Sequence, residues 1–134
     1  MSNILFVCIG NTCRSQMAEG FAAKYAGARV GIKSAGTNAM GHVSRSTIES
    51  MDEAGINIRN QTSKQLTGDM LDWADVVVTL GCCSADELCP VTYKGRKLDW
   101  DIKDPIGAPP EFFRMVRDDI ERRVKELLED EQRS

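Results

Sequence analysis

Two groups of cysteines carry the chemistry that this chain could do: Cys8 and Cys13 near the start, and Cys82, Cys83 and Cys89 further along. The first group lies in the segment Cys8-Ile9-Gly10-Asn11-Thr12-Cys13-Arg14-Ser15, where five residues separate Cys8 from Arg14. Backbone N–H groups from Ile9 to Ser15 can point inward in such a loop and cradle a tetrahedral oxyanion. The N-terminus of a following helix adds partial positive charge to that cradle. Arg14 can grip two anion oxygens in a bidentate fork. The same positive field favours the thiolate of Cys8, which is the form that attacks. Gly10 allows close backbone approach. Ser15 can donate a hydrogen bond to the Cys8 sulfur.

A bare Cys-x5-Arg spacing is common by chance, so the elements around it decide its weight. Residues 3–7 form a continuous apolar run, as a strand buried on both faces requires. Residues 8–14 read as a polar loop, and Ser15 to about Tyr25 as a helix ended by Gly27. Residues 29–34 alternate as a half-exposed edge strand. Val43 to Ala54 reads as a second helix, with Ser46 and Glu49 at capping-box spacing and Gly55 at its end. Residues 66–74 look like a short helical connection. Val76-Val77-Val78-Thr79-Leu80 is a second fully buried strand. Residues 81–90 read as a loop holding three cysteines. Lys97-Leu98-Asp99-Trp100 suits a fourth strand. A last helix covers roughly 110–130, with Phe113, Val116, Ile120, Val124, Leu127 and Leu128 on one face; Glu129 to Ser134 are expected to fray.

Strands alternating with helices imply an α/β fold, mostly parallel, with helices on both faces of a four-stranded sheet. Cys8 follows the first buried strand and Cys82 the second. If those strands are central neighbours, both sulfurs open into one crevice at the switch point. Strand order is the step on which this depends.

The whole chain has 134 residues, 42% hydrophobic and 28% charged, which fits a single soluble domain spanning 1–134. A net charge of −3 without a basic block argues against nucleic acid or an anionic membrane as partner. No segment reads as a membrane span or a secretory leader, so a cytoplasmic location is expected. Clustered cysteines in a reducing compartment point to thiol chemistry or metal binding rather than structural disulfides. No paired C-x2-C units exist to build a zinc site, and none is expected. The single histidine, His42, lies in a Gly-flanked stretch and is expected to be exposed.

The stretch Val7-Cys8-Ile9-Gly10-Asn11-Thr12-Cys13-Arg14-Ser15-Gln16-Met17-Ala18-Glu19-Gly20 closely resembles the thioredoxin-coupled arsenate reductases, which share a fold with the low-molecular-weight protein tyrosine phosphatases. The resemblance continues through Ser34-Ala35-Gly36, Gln61-Thr62-Ser63, Val77-Val78-Thr79-Leu80, Cys89-Pro90, Asp104-Pro105 and Arg114-x-Val116-Arg117-Asp118. It implies a four-stranded parallel sheet flanked by helices. Asp104, before Pro105, is then similar to the family's general acid; Asp99 and Asp101 are neighbouring alternatives. Cys82 and Cys89 have the spacing of the family's shuttle pair.

The cycle this implies begins with attack of Cys8 on arsenate. Cys82 then releases arsenite and leaves a Cys8–Cys82 disulfide. Cys89 moves it outward to Cys82–Cys89, where thioredoxin reduces it. No cofactor is implied, and a monomer is expected. Phosphate or sulfate would mimic the substrate. The chain departs from the family pattern in two places. Leu80-Gly81-Cys82-Cys83 is one residue longer before Cys89, which leaves Cys83 as an alternative to Cys82. Asn11, Glu19, Ser34 and Thr62 resemble a potassium site of some members, but Lys64 stands where an acid would be expected, so no bound potassium is expected. Two other readings stay open: a low-molecular-weight phosphatase, which needs no second cysteine group, and a non-enzymatic oxyanion or redox sensor.

Overall fold

The computed structural model describes residues 2–133. Among them four strands alternate with five helices: β1 Ser2–Cys8, α1 Arg14–Tyr25, β2 Val30–Gly36, α2 Arg45–Glu53, α3 Gly68–Trp73, β3 Val76–Leu80, α4 Ala85–Leu88, β4 Arg96–Trp100 and α5 Pro110–Arg133. Side chains of a strand point alternately to opposite faces. In β1 this sends Ile4 and Phe6 into one apolar cluster and Leu5 and Val7 into another. A strand that is apolar on both faces needs cover on both. Met17 and Phe21 of α1, Met51 of α2 and the apolar stripe of α5 cover the first face. Leu71 of α3 and Ala85 of α4 cover the second. Each large apolar side chain fully buried this way contributes roughly 1.5–3 kcal/mol. The six apolar residues expected to share one face of α5 are all buried.

The sheet order is β2-β1-β3-β4, and every neighbouring pair is parallel. From β1 the chain crosses to one side for β2, then returns past β1 for β3. The reversal falls between β1 and β3, where Val7 lies opposite Thr79. A crevice therefore opens beyond the carboxyl ends of these two strands. The strand adjacency on which the sequence argument depended is present, and the loops after Cys8 and Leu80 emerge side by side.

Four local expectations need correction. The N-cap of α2 is Ser44, not Ser46: its hydroxyl accepts from Thr47 N at 3.1 Å. A long-range bond selects it, because Ser44 N donates to Thr12 O at 3.0 Å. Helix α1 stops at an extended Ala26 rather than at a left-handed Gly27. Residues 81–90 are not all loop, since α4 forms within them; Asp99 Oδ1 accepts from Ala85 N at 2.9 Å and fixes its start. Helix α5 runs on to Arg133, past the end expected near residue 130, and Glu131 pairs with Arg96 of β4. Ser134 lies outside the described residues.

Candidate active site

Cys8 ends β1, and residues 9–13 carry the chain into α1. The carbonyls of this loop are held from outside. Cys8 O accepts from Thr37 N at 3.0 Å, Ile9 O from Asn38 N at 2.8 Å and Gly10 O from Met40 N at 2.8 Å. Asn11 O accepts from Gln16 Nε2 at 3.0 Å, and Thr12 O from Ser44 N at 3.0 Å. A trans peptide unit directs its N–H opposite to its C=O. Turning successive carbonyls outward therefore turns the amides from Ile9 to Cys13 toward the other side, the geometry of an anion nest.

One residue of the loop, Asn11, adopts a left-handed backbone with φ 49°. Asparagine tolerates this conformation when its side chain is tied down. Here Nδ2 donates to Ser15 Oγ at 2.7 Å and to Ser34 Oγ at 3.0 Å. Its Oδ1 accepts from Lys64 N at 2.8 Å and Gln16 Nε2 at 3.0 Å. Ser15 Oγ in turn lies 2.8 Å from Cys8 Sγ. With Asn11 donating to that oxygen, the Ser15 proton is free to face the sulfur.

Arg14 opens α1 and is buried. Its Nη1 donates to Leu80 O at 2.8 Å and to Ile102 O at 3.1 Å, which ties the guanidinium to the end of β3 and the segment after β4. Its Nη2 lies 3.9 Å from Asp104 Oδ2. Asp104 is exposed, while Pro105 after it is buried and anchors the turn. Asp104 Oδ1 accepts from Ile106 N at 3.1 Å. Of the alternative acids, Asp99 is committed elsewhere: Oδ1 accepts from Thr79 Oγ1 at 2.5 Å as well as from Ala85 N. Asp101 is exposed.

The second sulfur group sits beside the first loop. Cys82 Sγ lies 3.7 Å from Val7 O, one residue before Cys8. Cys82 and Cys83 are joined by a disulfide, while Cys8, Cys13 and Cys89 are free thiols. Cys89 is buried in the second apolar cluster, and burial pushes its thiol above the ordinary value. Gly81 opens this loop with φ 79°, and an added Cβ would lie 1.9 Å from Ile102 O. Position 81 is therefore a glycine because the backbone passes against Ile102, in the segment that leads to Asp104.

Cys13 is buried in the first apolar cluster, where desolvation pushes its thiol up to about 12. That environment favours its protonated form. Asn11, Glu19, Ser34 and Thr62 converge as expected, with the Lys64 ammonium among them. Lys64 Nζ donates to Thr62 O and stands 3.5 Å from Glu19 Oε1, and Ser34 Oγ donates to that same carboxylate oxygen. The cluster thus holds its positive charge as a side chain. His42 is exposed, and the two tryptophans sit at the rims of the clusters.

Two residues of the site were missed from sequence. Gln16 is fully buried and bridges Asn11 to Thr62 O at 2.9 Å, while Gln61 Nε2 donates to its Oε1 at 2.8 Å. A glutamine on the buried face of a helix next to the oxyanion loop was the available signal. Gly36 ends β2, and a Cβ there would lie 2.4 Å from Ile9 O and 2.8 Å from Asn11 N. Only glycine lets β2 back the loop so closely.

The fold recurs in known proteins. The chain belongs to the low molecular weight phosphotyrosine protein phosphatase family, whose pattern it matches over residues 3–134. It is 43% identical over 127 residues to arsenate reductase 1 of Bacillus cereus, an alignment covering 94% of this chain and 93% of that protein. Among solved structures it resembles an arsenate reductase in a phosphate-binding state, with TM-score 0.85, 36% identity and coverage of 97% of this chain and 98% of the other. A thioredoxin-dependent arsenate reductase of Corynebacterium glutamicum superposes with TM-score 0.83 at 30% identity, covering 98% of this chain and 62% of that one.

Proposed function

We propose that this protein reduces arsenate to arsenite with three of its cysteines in sequence. One observation carries the reading: a second sulfur group lies beside the Cys8 loop, with Cys82 Sγ 3.7 Å from the Val7 carbonyl. Hydrolysis needs a single thiol and water, whereas reduction must supply two electrons. Arsenate is held by the amides from Ile9 to Ser15 and by the remaining donors of Arg14. Cys8 attacks arsenic, and an oxygen leaves as water with Asp104 as proton donor. Cys82 attacks the Cys8 sulfur; the electron pair of the S–As bond passes to arsenic, arsenite departs, and a Cys8–Cys82 disulfide remains. The disulfide then moves outward within the Cys82 loop to Cys89, where a thioredoxin-type dithiol resets it. The similarity to a thioredoxin-dependent relative supports that choice of reductant. No helix among the described residues is long and apolar enough to cross a membrane.

A second reading, hydrolysis of phosphotyrosine, is favoured by the family and by the approach of Asp104 to Arg14 at 3.9 Å. Arsenate and phosphate share shape and charge, so weak phosphatase activity accompanies the main reaction. The test couples arsenate-dependent NADPH oxidation to thioredoxin and its reductase. Wild type turns over, and Cys8→Ser and Cys82→Ser do not. Hydrolysis of an aryl phosphate that survives in Cys82→Ser, with no arsenite formed by wild type, would replace the reductase by the phosphatase.

A further inference from the structure

We infer that Cys83 is a relay thiol in its own right, taking the disulfide from Cys8–Cys82 before Cys89 does. The inference rests on the reductase reading and adds a station to it. Three features of the molecule lead to it. The sulfurs of Cys82 and Cys83 are bonded to each other while Cys89 remains a free thiol. Cys89 is 7% exposed, packed with Val7, Leu71, Val77 and Ala85, and its amide donates to Ala85 O at 2.9 Å as the C-cap of α4. To reach Cys82 it must leave an apolar cluster and unwind that helix. Cys83 is partly exposed and adjoins Cys82, so it needs neither movement. Gly81, pinned against Ile102 O, holds the start of the loop by the end of β3, so the pair stays beside β1.

The added step is thiol–disulfide exchange and consumes no electrons. Cys83 loses its proton to solvent and its sulfur attacks Cys82 of the Cys8–Cys82 bridge. The Cys82–Cys83 bond forms, the Cys8–Cys82 bond breaks, and the electron pair returns to Cys8 as thiolate. The nucleophile is thereby regenerated while α4 is still folded. Cys89 or the external dithiol then opens the adjacent pair.

A single-turnover experiment tests this. Fully reduced protein is mixed with excess arsenate without reductant, quenched by an alkylating agent, and analysed for arsenite and for disulfide-linked peptides. In Cys89→Ser one arsenite per chain is released, Cys8 is recovered alkylated, and Cys82 is bridged to Cys83. In Cys83→Ser, where Cys89 alone can act, Cys8–Cys82 accumulates and recovery of free Cys8 slows by about tenfold or more, since the adjacent thiol acts at high effective concentration. In the double variant with Cys89→Ser no thiol remains to take the disulfide, and Cys8 stays bridged to Cys82. In wild type, which avoids any folding defect of the variants, the Cys82–Cys83 bridge precedes Cys82–Cys89. If Cys89→Ser stalls with Cys8–Cys82 bridged and Cys83 alkylated, and wild type shows no early Cys82–Cys83 species, the extra station is overturned while the reductase reading stands. If wild type releases no arsenite at all, both fall.

Discussion

Ser15 Oγ lies 2.8 Å from the Cys8 sulfur and accepts from Asn11 at 2.7 Å, so its hydrogen is free to face the proposed nucleophile. A hydrogen bond to a charged group is worth about 1.5–3 kcal/mol. Ser15→Ala should therefore slow the first attack by roughly ten- to a hundredfold, read as the single-turnover rate of arsenite release, with the melting temperature little changed. Cys13 offers a check of the opposite kind. Its folded thiol titrates near 12 against an ordinary 9.0, chiefly through desolvation. The fold binds the proton more tightly than the unfolded chain. The stability this provides is complete below pH 9 and is lost as pH rises toward 12. Cys13→Ala should flatten that alkaline limb in thermal melts taken against pH, whatever its effect at neutral pH. Cys8, Arg14 and Ser15 were legible because a residue-type pattern names them. Gln16 was not, since its role comes from reaching Asn11 and Thr62, which are brought to it only by folding.

At the scale of elements, strands β1 and β3 announced themselves as unbroken apolar runs, and α5 by a six-residue apolar stripe. Helix α4 was invisible because four residues carry no helical period, and its position depends on Asp99 of the next strand. The cap of α2 was misread for a related reason: Ser44 and Ser46 look alike locally, and the choice is made by the Ser44–Thr12 bond. The turn after β3 can be tested directly. Gly81→Ala forces a side chain into a left-handed backbone and against Ile102 O, 1.9 Å from the new carbon. The backbone conformation alone costs about 1–3 kcal/mol. We expect a melting temperature lower by several degrees and a loss of reductase turnover larger than the loss of anion affinity, measured by phosphate binding.

Across the whole molecule, α2 is clamped to α5 through Glu53. Arg114 donates to its two oxygens at 2.7 and 3.0 Å, and Arg117 Nη1 reaches both Glu53 at 2.9 Å and Ser50 O at 2.9 Å. Hydrogen bonds from Arg114 and then Arg117 hold this carboxyl down at about 2, against an ordinary 4.5. A depressed folded value means stability present above pH 4.5 and lost as pH falls toward 2. Glu53→Gln should remove that part of the acid sensitivity, seen as a smaller decline in melting temperature between pH 5 and pH 2.

The sheet is unevenly clothed. One side carries helices of 12, 9 and 24 residues, and the other carries helices of 6 and 4 residues. Opening free energy follows local burial, so the sparsely covered side should exchange its amide protons first, with residues 81–92 ahead of α1 and α5. Cys83 and Cys89 pack on that side. Breathing needed for sulfur traffic can then occur there while the oxyanion cradle, anchored to the heavier side, keeps its shape.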